Sequence, residues 1–254
     1  MLDSLQTVLI EYSLITAFAL IGGIVAVSYF LSAHLTRGRL HGSAIAIVIG
    51  LVLAYVGGTF VPGGERGLAD LPIFVGVGLM GGIMLRDFAI VSTAMGVHLS
   101  ELRRTGLGGV VSLAIGLTLP FVLGVIVGYA FGYRSAEDLT TLGAGAATFI
   151  VGPVTGTALN ASSEVIALSV GTGVAKAILV MIATPFIARF IGLNNPHTAV
   201  IFGGLMGTTS GVAGGLAATD PKLVPYGAMS ATFYTGLGCL LGPSVMYFLI
   251  NLIF

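Results

Sequence analysis

The chain has 254 residues, 56% of them hydrophobic and only 8% charged, with a formal net charge of zero. Its mean hydropathy is +1.06, whereas a soluble domain carries roughly 25% charged residues, so the chain reads as an all-α polytopic membrane protein. The lack of any basic tract argues against a nucleic-acid partner, and the single cysteine, Cys239, excludes an internal disulfide or a cysteine-based metal site.

Six long spans are predicted, at about 13–33, 42–61, 71–97, 106–132, 165–190 and 224–252. Most coincide with intervals free of Asp, Glu, Lys and Arg that exceed the roughly 20 residues a spanning helix needs. No basic segment precedes the first span, so 13–32 is expected to be retained rather than cleaved as a signal peptide. Alternating apolar and polar ten-residue segments are missing, which argues against an outer-membrane barrel.

Two further segments, 141–163 and 197–222, are apolar at one end and rich in Gly, Ser, Thr, Asn or Asp at the other. Unpaired backbone in hydrocarbon costs several kcal/mol per group, and irregular chain at that depth survives only inside protein or beside a watery cavity. The two segments are therefore either broken helices or re-entrant hairpins. The loop holding Arg37 and Arg39 is expected on the cytoplasmic side, which leaves the N-terminus outside. With hairpins, Arg103, Arg104, Arg189 and Lys222 all fall inside; with two full crossings, Arg189 would face out. Hairpins entering from opposite faces are the pattern of an inverted-repeat transporter. An ungapped offset of 58 lays Gly145, Gly156 and Pro185 on Gly203, Gly214 and Pro243 and allows such a repeat. On this reading the chain is one membrane domain, with scaffold and partner-contact helices at 13–61 and a binding core at 71–252.

Pro153 is expected to break the first segment, with Gly152 and Gly156 allowing unusual backbone angles. Freed helix N-termini attract a carboxylate, and freed carbonyls and hydroxyls suit a sodium ion. The substrate candidates are Thr155, Gly156, Asn160, Lys176, Thr208, Thr209, Ser210, Gly211 and Arg86. The sodium candidates are Gly152, Asn160, Ser162, Ser163, Thr219 and Asp220. The plain alternative is that Gly, Ala, Ser and Thr let helices pack closely, and Asp220-Pro221 also reads as an ordinary helix end. Lys176, central in its span, is a functional hypothesis by default. It faces either a substrate carboxylate or one of Glu164, Asp220 and Asp87. Phosphate-loop, G-x-S-x-G and H-E-x-x-H signatures are missing, so no enzyme is indicated and no cofactor is expected.

The stretches "RGRLHGSAIAIVIGLVLAYVGG", "GLMGGIMLRDFAIV", "GAGAATFIVGPVTGTAL" and "FGGLMGTTSGVAGGLAATDPKLVPYGAMSATFYTGLGCLLGPS" resemble the large (MadM) subunit family of bacterial malonate:sodium symporters, over about residues 13 to 250. The second half is loosely similar to the LrgB/CidB family. The first resemblance implies sodium-driven import of malonate across the bacterial inner membrane, with sodium as coupling ion and a smaller, MadL-like membrane subunit as partner. A higher oligomer stays open. The alternatives are a holin-like or LrgB-type channel or carrier for small organic acids, and a membrane scaffold without a ligand.

Overall fold

The structure, a computed structural model, describes residues 2–35, 42–60, 71–79 and 99–254. All regular elements among them are helical. The chain divides into two compact units, residues 1–92 and 93–254.

In the first unit a short helix, α1 (Leu2–Glu11), leads into α2 (Ser13–Leu35), and α3 (Gly42–Phe60) packs against α2. α2 has the length and hydropathy to cross a membrane. Ser28 is buried but satisfies its hydroxyl on Ile24 O at 2.7 Å, so it costs little. A 3-10 turn at Pro72–Phe74 runs into α4 (Val75–Leu79), which also lies on α2. Most of the predicted span 71–97 lies outside the described residues.

The second unit holds three more helices able to cross a membrane: Gly106–Ala130, Ser163–Ile187 and Pro221–Asn251. These match the spans expected at 106–132, 165–190 and 224–252. The first is the straight part of α5 (Leu99–Ala130), kinked at Gly106, where φ is +52°. Next come α6 (Ala136–Ala147), α7 (Val151–Ala158) and α8 (Ser163–Ile187). They are followed by α9 (Pro196–Met206), α10 (Thr209–Ala217) and α11 (Val224–Leu241). A π-helical turn at Gly242–Met246 joins α11 to α12 (Tyr247–Asn251).

Local chemistry sets these ends. Ser135 caps α6 by accepting from Asp138 N, and Glu137 and Asp138 suit the positive end of the helix. Ser162 caps α8, and Asn195 closes a reciprocal capping box with Thr198 at α9. α6 is 12 residues long and α9 is 11, about 18 and 16 Å of rise against a hydrocarbon core of about 30 Å. Neither crosses alone.

Contacts between helices give their directions. Gly124 of α5 packs on Gly143 and Ala146, and Gly128 on Leu139 and Leu142, so α6 runs antiparallel to α5. Gly152 meets Gly145 and Gly156 meets Thr141, so α7 doubles back along α6. Gly145 lies on Ser169 and Gly173 on Phe149, which makes α8 parallel to α6. Gly108 on Ile201 and Gly116 on Leu205 make α9 parallel to α5. Gly211, Gly214 and Gly215 of α10 step along Ala177, Met181 and Thr184, so α10 follows α8 and opposes α9. Gly203 on Gly227 and Gly207 on Tyr234 set α11 parallel to α9.

Both polar segments are therefore helical hairpins, and they enter from opposite ends. The repeat is inverted: the contact Gly145·Ser169 reappears 58 residues later as Gly203·Gly227. The lateral junctions are exchanged images of each other. Thr155 of α7 sits against Gly242, while Gly215 of α10 sits against Thr184. The break in the first hairpin falls at Thr148, whose backbone is extended, and not at Pro153. Pro153 is the third residue of α7, where its missing amide would have had no helical partner anyway. Apolar side chains cover the outside, with Leu107, Phe131 and Phe190 each at least 78% exposed, as lipid contact requires.

Candidate functional site

The two hairpin tips converge on one pair of side chains. Tyr234 of α11 donates its hydroxyl to Gly116 O at 2.7 Å and lies 3.3 Å from Ala147 O, the last residue of α6. Its ring covers Gly207, the turn residue of the second tip, whose φ is +67°. Lys176 of α8 donates Nζ to Ala147 O at 2.6 Å and stands 5.3 Å from the centre of the Tyr234 ring. Lys176 and Tyr234 are themselves 58 residues apart, so they occupy the same place in the two repeats.

The lock on Gly116 has a simple origin. Pro120 lies inside α5 and supplies no amide to the carbonyl four residues earlier. That carbonyl belongs to Gly116, and the Tyr234 hydroxyl takes up the vacant position. Tyr234→Phe should therefore cost about 1–3 kcal/mol by leaving a buried acceptor unmade. Adding Pro120→Ala, which restores an amide, should recover part of that loss in thermal unfolding of the detergent-solubilised protein.

Each tip presents both polarities. The incoming helix ends in carbonyls, and the outgoing helix begins with amides that have no helical acceptor. At the second tip the first helical bond runs from Val212 N to Thr208 O, and the Thr208 hydroxyl caps Gly211 N at 3.4 Å. The amides of Thr209 and Ser210 come before that ladder. Their side-chain oxygens, and that of Thr148 at the first tip, are buried without a hydrogen-bond partner. Unpartnered buried hydroxyls cost about 1–3 kcal/mol each, a cost that a group bonding to them would offset. A cationic amine, two sets of amides and three unpartnered hydroxyls are the kind of groups that suit a small anion.

Lys176, Thr208, Thr209 and Ser210 stand at these tips. Gly211 lies just behind them against Ala177. Gly152 lies near the first tip, against Ser169 and Gly145; Gly156 packs on Ile166 and Thr141, away from it. Thr155 is one turn further along α7, fully buried beside Gly242. The structure does not bring the remaining candidates together. Asn160, Ser162 and Ser163 are exposed at the outer end of the first hairpin, where Ser162 caps α8. Asn160 has φ +57°, the turn between α7 and α8. Thr219 and Asp220 end the second hairpin, bonding Gly215 O and Lys222 N. Roughly 30 Å of helix rise separates Ser163 from Thr184, beside which α10 ends. One ion cannot touch both groups. Lys176 pairs with a backbone carbonyl and with neither Glu164 nor Asp220. Arg86 and Asp87 lie outside the described residues.

Tyr234 and Thr148 were not foreseen. For Tyr234 a signal existed: the offset that aligns the prolines also aligns it with Lys176. Thr148 carries none, because a lone threonine in an apolar run reads as packing.

A family model described as "Malonate/sodium symporter MadM subunit" matches residues 5–254. No curated protein and no solved structure matches the chain.

Proposed function

The chain belongs to the malonate/sodium symporter MadM subunit family, and from that membership we propose that it carries malonate across the membrane between its two hairpin tips. One malonate carboxylate takes the Lys176 ammonium. The other takes the free amides and hydroxyls of Thr209 and Ser210, with Thr148 closing from the first tip. Bound substrate thus supplies the hydrogen bonds that these groups lack, and it draws Lys176 from Ala147 O. The observation that supports this most is the convergence of two oppositely directed tips on Lys176 and Tyr234.

Opposite entry gives each hairpin a gate of its own. Displacing the first uncovers the site from one face, and displacing the second uncovers it from the other. The end of the unit with Arg189 and Lys222, where α5 also starts near Arg103 and Arg104, is the cytoplasmic one by the excess of basic residues. The opposite end bears Arg134, Glu137, Asp138 and Glu164. Sodium drives import, and helices 13–61 serve as scaffold and as the contact for a small MadL-like subunit in the bacterial inner membrane, with the N-terminus outside. Sodium and malonate then strengthen each other's binding by the same factor.

Uptake of labelled malonate by proteoliposomes, with and without the small subunit, tests the reading. Saturable uptake, accelerated by an inward sodium gradient and by malonate trapped on the far side, is expected. Uptake indifferent to sodium would remove the coupling, and linear non-saturating flux would point to a pore instead.

A further inference from the structure

Threonines inside helices of this protein share a habit. Thr118, Thr141, Thr172, Thr184, Thr232 and Thr235 each return their hydroxyl to the carbonyl four residues earlier, at 2.5–3.0 Å. Thr140 and Thr155 do not. Both are fully buried, and neither hydroxyl has any partner. The two belong to the antiparallel arms of the first hairpin. The pairing of Gly156 with Thr141 and of Gly152 with Gly145 sets residue 155 opposite residue 142, about 3 Å of helix rise from residue 140. Both arms also pack on the π-helical turn Gly242–Met246, and Thr155 faces Gly242 directly. There Pro243 contributes no amide, and the helical ladder shifts so that Tyr247 N reaches Gly242 O, five residues back.

Two unpartnered hydroxyls and a widened helical turn in a buried junction are hard oxygen chemistry. Hard monovalent and divalent cations take such neutral oxygens, and disrupted helix backbone is where transporters hold their coupling ions. No carboxylate is needed for an ion of single charge. The exchanged junction in the other repeat lacks the feature, because Thr184 beside Gly215 spends its hydroxyl on Val180 O at 2.5 Å.

We propose that a sodium ion binds between Thr140, Thr155 and the π-helical turn at Gly242–Met246, apart from the anion held at the hairpin tips and only in the first of the two repeats. The inference rests on the transport reading for the choice of ion. An ion there ties both arms of the first hairpin to α11, which also carries Tyr234, so it steadies the first tip before the anion arrives.

Thermal unfolding of the full chain in detergent, without malonate, tests this. Sodium chloride is titrated against choline chloride at constant ionic strength, with potassium chloride as a third series. A saturable rise in melting temperature with sodium and not potassium is expected. Thr155→Val and Thr140→Val should each raise the half-saturating sodium concentration by about tenfold or more. Thr155→Ser and Thr172→Val should leave it unchanged. Because the valine variants remove an unpartnered hydroxyl, they should melt no lower than the parent in choline. An unaltered sodium response in both valine variants overturns the site, as does an equal response to potassium. Malonate is then added at saturating sodium. A malonate shift with unaltered valine variants sinks the cation site alone, whereas altered valine variants without a malonate shift sink the substrate reading alone.

Discussion

Lys176→Met should weaken malonate binding by at least about 100-fold while the protein still folds and inserts. Truncating one member of a buried charged pair costs about 2–5 kcal/mol, and no other cationic side chain reaches the tips among the described residues. Folding should tolerate the change. A lysine at the centre of a span costs about 2.5–3.5 kcal/mol on insertion scales, and the substitution removes that burden. Against this, Ala147 O loses a donor at 2.6 Å, worth about 1–3 kcal/mol. The two effects roughly cancel, so melting temperature should shift little while affinity collapses. Lys176→Arg keeps the charge but brings a planar, wider head group into a space shaped by the Tyr234 ring and should rescue only part of the binding. Calorimetric titration with malonate, beside unfolding of the same samples, separates the two readouts. Normal affinity in Lys176→Met would remove Lys176 from the site.

The second large effect is expected at Gly207. Its φ of +67° closes the end of α9, with its amide on Gly203 O at 2.9 Å. A side chain in this conformation costs about 1–2 kcal/mol. Even an alanine methyl would also run into the Tyr234 ring, and overpacking of that kind costs about 1–3 kcal/mol more. Gly207→Ala should therefore lower stability by about 2–5 kcal/mol and transport with it, because the displaced ring also holds Gly116 and Ala147. Gly236→Ala is the control, since nothing lies within 4 Å of its added methyl. In a helix interior it should be neutral or slightly stabilising. Equal melting of the two variants would mean that Tyr234 does not lock the second tip.

Much of the organisation was legible before any coordinates. Uncharged intervals longer than a bilayer gave the spans, because charge in hydrocarbon is too costly to scatter. The polar halves of 141–163 and 197–222 marked these segments as broken helices or hairpins, because irregular backbone at that depth needs shelter. Lys176 stood out for the same reason. Polarity also misled: Asn160, Ser162, Ser163, Thr219 and Asp220 lie in the polar halves of their segments, and the structure uses Ser162 and Asp220 as caps at the outer ends. The sequence offers no distance along a hairpin, so a polar residue at the tip and one at the base look alike.

The amino-acid sequence by itself determined the class, the family and the two segments in which helices break, but not the residue at which the first one breaks. Only the tertiary structure decided which helix faces which, that Lys176 and Tyr234 share one carbonyl, and that Thr140 and Thr155 differ from their neighbours. The physical reason lies in the solvent. Helices in lipid are apolar on every side, so no amphipathic stripe marks the inner face. Their partners are chosen by close backbone approach and by single hydrogen bonds, such as the one Pro120 leaves open for Tyr234.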